Sequence, residues 1–264
     1  MKHLLALLLL PLACPAAWAG AWTQAEDQWQ VIGGVILSNA DRAYDAHGYG
    51  RTPVSFERVL IQTDADYGWN DYLNLFARGE TALAHYRDAT TPTTNAVDNA
   101  LELGTRLRLL NDDEYGILSV EGSVRTAGAF NFAVSANSLA SGRSAGIRLL
   151  YGTNFKWREM DGFVDFETGE TFLSRPRPNQ TPVDLTVGLW VDGDTMAMVQ
   201  SFNLIGAGGG GGHSYPYFRS HKVEVSVVRK ISPRYSVQAG AFFSPAGQNA
   251  LVEQGLCLSL WANF

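Results

Sequence analysis

The stretch Ala96–Leu110, AVDNALELGTRLRLL, decides the fold class. Leu101, Leu103, Thr105, Leu107 and Leu109 share one parity, while Glu102, Gly104, Arg106 and Arg108 share the other. Successive side chains of a β-strand point to opposite faces, so this two-residue period yields one apolar face and one polar face. A helix of about 3.6 residues per turn would scatter both sets around its circumference. The pattern recurs in PVDLTVGLWVD, Pro182–Asp192, where Val183, Leu185, Val187, Leu189 and Val191 oppose Asp184, Thr186 and Trp190. In HKVEVSVV, His221–Val228, Val223, Val225 and Val227 oppose Lys222, Glu224 and Ser226. It runs to the last residue in GLCLSLWANF, where Leu256, Leu258, Leu260, Ala262 and Phe264 form the apolar stripe.

Twelve such segments are expected, near 28–39, 54–68, 72–86, 99–110, 115–127, 143–155, 162–173, 183–191, 195–206, 217–231, 234–244 and 255–264. Most reach about 10 residues, the length with which a tilted strand crosses a bilayer. The links alternate in length. Long stretches such as NADRAYDAHGYGRTP, RDATTPTTNAVDN, GAFNFAVSANSLASG and the run from Gly206 through five glycines to Tyr217 alternate with tight turns. The turns lie at Trp69-Asn70-Asp71, Asn111–Glu114, Asp192-Gly193-Asp194 and Ser232-Pro233. Long links at one end and tight turns at the other are the mark of an outer-membrane barrel, and an even strand number returns both termini to the tight-turn, periplasmic end.

A soluble sandwich also alternates, with its apolar face inward. Three features favour a membrane. A twelve-stranded cylinder is too wide for apolar side chains to fill. Tyr67, Trp69, Tyr72, Tyr115, Phe155, Trp157, Tyr235 and Phe264 cluster beside the tight turns or at the terminus, as an interfacial belt requires. The first 19 residues, MKHLLALLLLPLACPAAWA, place Lys2, an apolar run Leu4–Leu10 and Ala17-Trp18-Ala19 ahead of Gly20, which reads as a secretory signal. The organisation is thus a signal peptide over 1–19 and an all-β, closed antiparallel transmembrane barrel of about twelve strands over 20–264. A lipoprotein with Cys14 acylated is the weaker reading, because Pro11 and Pro15 flank that cysteine poorly. Only Cys257 follows the signal, so no intrachain disulfide forms in the exported chain. The net charge of −6 argues against a nucleic-acid partner.

The face opposite the apolar stripe, assigned to the lumen, carries Arg58, Gln62, Asp64, Asp66, Asn74, Arg78, Glu80, Glu102, Arg106, Arg108, Glu121, Arg125, Arg148, Glu224 and Gln238. Charges so placed cost about 2–4 kcal/mol toward lipid for Arg or Lys at the midplane. They form either a polar pathway for a hydrophilic solute or, as favoured here, an ion-paired filling with at most a narrow channel. The final stripe of Leu256, Leu258, Leu260 and Phe264 is expected to face lipid, to close the sheet on its first strand and to be read by barrel-assembly machinery.

Signals for catalysis are thin. A hydrolase needs a nucleophile beside a base, and the candidates Ser214 with His213 and Ser220 with His221 lie in or near a glycine-rich link. Glu167 with Glu170, or Asp64 with Asp66, reads as a glycosidase-type pair only weakly, because adjacent carboxylates are common on strands. Asp112-Asp113-Glu114 is better read as a solvated turn than a calcium site. No metal constellation, phosphate loop or cofactor motif is found, and a non-enzyme is expected.

Several phrases resemble the XagA-like β-barrel proteins of Gram-negative bacteria. They are AWTQ at 21–24, YGWNDYLNLFAR at 67–78, QSFN at 200–203, SVQAGAF at 236–242 and GQNALVEQGLCLSLW at 247–261, with the final Phe264. The hairpin phrase at 67–78 is also similar to outer-membrane transporters linked to aromatic degradation. The XagA resemblance implies a small barrel associated with exopolysaccharide glycosyltransferases and surface attachment, with no defined catalytic residues. The function expected is a small channel or accessory barrel for exopolysaccharide export or attachment, with a lipid hydrolase and a purely structural or adhesive barrel as alternatives. Its expected surroundings are outer-membrane lipids, with polysaccharide or a small hydrophilic solute as the candidate cargo.

Overall fold

Each alternating segment acquires two antiparallel neighbours in the computed structural model of the chain, which describes residues 20–88, 94–126, 143–174, 178–208 and 216–264. The strands are β1 (Trp29–Tyr44), β2 (Gly50–Asn70), β3 (Leu73–Asp88), β4 (Thr94–Asp112), β5 (Gly116–Thr126), β6 (Ser144–Trp157) and β7 (Met160–Leu173). They continue as β8 (Gln180–Trp190), β9 (Thr195–Gly206), β10 (Phe218–Lys230), β11 (Tyr235–Gln248), the two-residue β12 (Ala250–Leu251) and β13 (Gln254–Asn263). Neighbours in sequence pair from β1 to β11, and β13 pairs with both β11 and β1. Twelve long strands therefore form a closed cylinder, with β12 a small addition on the extended top of β1.

Closure is carried to the last residue. Trp29 N donates to Phe264 O at 3.0 Å, and Phe264 N returns a bond to Trp29 O at 2.9 Å. Such satisfaction is compulsory in lipid, where an unpaired backbone group has no water to bond. The outer face is apolar, with Leu37, Ile61, Leu103, Leu149, Val225, Leu256, Leu258 and Leu260 all exposed. Trp29, Trp69, Tyr72, Tyr115, Trp157, Tyr235 and Phe264 are exposed around the tight-turn end. Trp29 stacks on Tyr67 with ring centroids 4.6 Å apart, and Tyr235 meets Phe264 edge-on at 6.3 Å.

The tight turns share one device. Asn70 Oδ1, Asp112 Oδ1 and Asp192 Oδ1 each accept backbone N–H groups two and three residues ahead, at 2.6–2.9 Å. A short polar side chain thereby replaces the ladder where the chain reverses. The Asp194 amide, with Thr195, holds the Asp192 carboxyl below the usual carboxylate range.

The strands are longer than their apolar stripes. β1 continues through Tyr44 and β2 begins at Gly50, so the expected long link of 39–53 is mostly paired backbone. Similarly, β11 extends to Gln248 and the expected final link yields β12. Apolar spacing marks only the part of a strand that meets lipid, whereas ladder bonds continue above it without needing apolar side chains. Residues 1–19, expected to be a signal, the 128–142 link and glycines 209–212 lie outside the described residues.

Replacing Leu258, which lies on the outer face at mid-belt opposite Val35, tests the lipid assignment. Leu258→Arg is expected to lower unfolding stability by about 2–4 kcal/mol in vesicles, measured by denaturant titration, while Leu258→Ile leaves it within about 1 kcal/mol.

Candidate functional site in the barrel lumen

The enclosed face of β2–β7 carries a continuous charge network. Glu121 on β5 lies at its centre, accepting from Arg78 Nη1 at 2.9 Å and Nη2 at 3.1 Å, and from Arg106 Nη2 at 2.9 Å. Arg78 also contacts Asp64 at 3.1 Å and Glu102 at 3.7 Å, and Arg106 contacts Asp66 at 3.2 Å. Arg125 pairs with Glu80 and lies 3.5 Å from Glu102. Arg148 pairs with Glu167 at 3.1 Å and approaches Asp184 to 3.8 Å. Nearer the long-link end, the buried Glu253 sits between Arg58 at 2.6 Å and Lys222 at 2.5 Å. Charges withdrawn from water remain ionised at tolerable cost only when paired and hydrogen-bonded in this way.

The opposing wall is quieter. Gln238 Nε2 donates to Glu224 at 3.2 Å and to Ser226 at 3.0 Å, and its oxygen accepts from Trp261 Nε1 at 3.1 Å. Cys257 Sγ donates to Glu224 at 3.2 Å. Arg108 is set at the tight-turn rim, its guanidinium 5.5 Å from the Tyr72 ring centre. Gln62 lines a mid-barrel cavity.

Residues Gly20–Ala25 precede β1 and enter the lumen from the tight-turn end. Trp22 is buried among Ile117, Leu150, Phe163, Met196, Met198, Val228 and Trp261. Its indole meets Phe163 edge-on, with centroids 5.7 Å apart. It lies over Gly152, where an added Cβ would come within 2.5 Å of the ring. The segment has no strand partner here, so the wall's side chains supply its backbone bonds. Ala21 N donates to Asp165 at 2.8 Å, Ala21 O accepts from Ser119 Oγ at 2.5 Å, Trp22 O accepts from Arg106 at 3.2 Å and Gln24 N donates to Asn74 at 3.1 Å.

Two cavities follow along the axis. One of about 330 Å³ abuts the indole layer through Phe163, Met198 and Trp261, with Asp64 and Arg78 on its other side. The next, of about 350 Å³, shares Ile36, Glu80, Phe202 and Glu224 with the first and adds Arg58, Arg125, Arg148 and Lys222. Both combine a charged wall with an apolar one.

The catalytic candidates are not assembled. Glu167 and Glu170 fall on opposite faces of β7: Glu167 is held by Arg148, and Glu170 accepts from Thr181 at 2.8 Å. Asp64 and Asp66 share a face but pair with different arginines. Ser220 is buried on the inner side, whereas its neighbour His221 has the opposite parity. His213 and Ser214 lie outside the described residues. Instead, His221 Nε2 lies 3.2 Å from Ser201 Oγ on the outer face, and Asn203 Nδ2 donates to the same oxygen at 3.1 Å. That cross-strand contact is invisible without register. The inner segment had a clue in AWTQ, an apolar pair between the signal and the first stripe. Glu253 had none, because it sits in a stretch that read as a link.

No protein-family model matches the chain, and no curated protein does. Solved structures do match. The COG4313 outer membrane channel from Pseudomonas putida F1 has a TM-score of 0.69 at 14% identity, over 92% of this chain and 98% of that one. The translocator domain of the autotransporter NalP from Neisseria meningitidis gives 0.55 at 10% identity, over 95% and 91%. The transport unit of the autotransporter AIDA-I from Escherichia coli gives 0.51 at 10%, over 96% and 95%. The chain has the fold of these outer-membrane barrels.

Glu121 is shared by the buried Arg106 and the half-buried Arg78, and truncating it leaves Arg106 with Asp66 and Arg78 with Asp64 and Glu102. Glu121→Ala is expected to cost about 1.5–3 kcal/mol of unfolding free energy, the loss of charged hydrogen bonds whose donors keep other partners, read by denaturant titration in detergent or vesicles.

Proposed function

We propose that the chain is an outer-membrane barrel whose lumen is a narrow channel for small polar solutes, held shut at the tight-turn, periplasmic end by Gly20–Ala25. The observation that carries this reading is the Trp22 indole, buried in the lumen among Phe163, Met198 and Trp261, which also line the adjoining cavity. Burying an indole of about 200 Å² at about 25 cal/mol per Å² contributes about 5 kcal/mol. An equilibrium biased that far populates the open form at about one part in several thousand. The resting barrel is therefore closed, and conduction requires withdrawal of the segment. Along the charged wall the carboxylates of Asp64, Asp66, Glu80, Glu102, Glu121, Glu167 and Asp184 outnumber the guanidinium groups of Arg78, Arg106, Arg125 and Arg148. An opened lumen should therefore favour cations.

The fold and the leader-like segment 1–19 support the outer membrane as its location. The stripe ending at Phe264 supports recognition by assembly machinery. An exopolysaccharide-associated role rests on the sequence resemblance alone. Cavities of about 330 and 350 Å³ suit small solutes better than a polymer strand. Planar-bilayer recording tests the channel. A chain lacking residues 20–25 should give frequent cation-selective steps where the full exported chain gives rare ones, and equal records from the two would remove the plug reading.

One contact favours a second reading, an acyl hydrolase acting on lipid. Ser201 lies in a registered outer row with Gln254, Asn39, Glu57, His85 and Asn95. Leu256, Leu37, Val59, Leu83 and Val97 form the next outer row toward the tight-turn end. Ser201 and His221 face outward, with Leu185 and Val223 beside Ser201 on the neighbouring strands, within general-base reach. Purified protein should then release fatty acid from phospholipid vesicles, and Ser201→Ala should abolish that release. An unchanged rate dismisses this reading.

A further inference from the structure

Asp165 is an inner-wall carboxylate, 3% exposed, that among the described residues forms no ion pair with Arg, Lys or His. Every other carboxylate at the network's centre has an arginine. Asp165 has instead the backbone N–H of Ala21, at 2.8 Å, and a hydrogen bond with Glu167, and next to these lies Gly20. A Cβ added to Gly20 would come within 2.0 Å of Asp165 Oδ2, so its Cα is seated against the carboxylate and a side chain there would have to displace it. With ordinary bond lengths the Gly20 nitrogen lies within about 5 Å of that oxygen before any rotation. A buried carboxylate without a cation is costly, and it faces the one residue that follows Ala17-Trp18-Ala19.

We propose that cleavage between Ala19 and Gly20 frees an α-ammonium group that pairs with Asp165 inside the barrel and locks the inner segment in place. This deepens the plug reading and rests on residues 1–19 being a removable leader. The step is peptide hydrolysis: one water is consumed, Ala19 leaves as a carboxylate, and the Gly20 amine takes up a proton. Before cleavage the Gly20 nitrogen is a neutral amide that continues into the leader. After cleavage it is a cation with three donors beside a carboxyl group that has no ion-pair partner among the described residues. The Gly20 position is therefore both a processing site and half of a buried ion pair, so export and closure of the lumen are coupled at one bond.

The test uses full-length protein expressed in a Gram-negative host and extracted from its outer membrane in detergent. Intact mass is expected to correspond to a chain beginning at Gly20, and any other first residue overturns the proposal. Reductive dimethylation near neutral pH then probes the α-amine. In folded protein Gly20 should react at least about tenfold more slowly than in unfolded protein, because the adjacent carboxylate favours the protonated, unreactive form. Equal rates overturn the proposal. Asp165→Asn should remove the protection. Gly20→Ala, which leaves the strands untouched, should be processed normally yet react freely, since its methyl cannot sit against Asp165. Protection equal to wild type in Gly20→Ala overturns the seating. Conductance is not read here, so failure of the channel reading and failure of this one are separable.

Discussion

A backbone in hydrocarbon has no solvent for an unpaired N–H or C=O, and this constraint organises the molecule. It explains how the last strand pairs. β13 must pair on both sides, with β11 and with β1, and the pairing is carried out to the mutual bonds of Trp29 and Phe264. Once the ribbon closes, half of its side chains turn toward a volume cut off from lipid. Everything on that side is then governed by a different requirement, namely how twelve strands enclose a space too wide for apolar side chains alone to fill.

The interior meets that requirement in two layers. In the middle, arginines extend across neighbouring strands to carboxylates, with Glu121 shared between Arg78 and Arg106. Near the tight turns, where the wall offers Leu150, Met196, Met198 and Val228, the filling is apolar and the missing piece is brought by the chain's own Trp22. The two layers are joined by Arg106, which binds Glu121 and Asp66 while donating to the Trp22 carbonyl. The inner segment is thus recognised by the same groups that tie the strands together.

Parity made much of this legible. Whether Arg106 and Leu107 share a face is arithmetic once the period is seen, and the exposed leucines of β4 and β13 follow from it. What the sequence hides is everything that depends on register or on irregular backbone. The contact of Ser201 with His221 joins residues twenty positions apart through strand pairing. Glu253 comes from a stretch with no apolar period, yet it is buried between Arg58 and Lys222. Glu167 and Glu170 looked like a pair because they are close in sequence, and their odd spacing sends them to opposite faces of β7. The strand extensions of β1 and β2 were hidden for the opposite reason, since polar residues can share a ladder without leaving an apolar trace.

The unequal anchoring of the parts determines where motion is cheap. Each wall residue belongs to a strand with ladder bonds on both sides, so displacing Arg78 or Glu121 means breaking a buried ion pair as well as distorting the sheet. Gly20–Ala25 has no ladder. Ala21, Trp22 and Gln24 are held by wall side chains, and by the apolar contacts of one indole. Withdrawing the segment would leave the cylinder intact and the Glu121 network still paired. The cost would be one buried aromatic, the proposed pair of Gly20 with Asp165 and a few hydrogen bonds that water entering the lumen can replace. A wall-based gate would have to open lipid-facing backbone and meet the constraint that closed the barrel in the first place. The unpaired segment is therefore where a switch between closed and open lumens can operate without unfolding the protein.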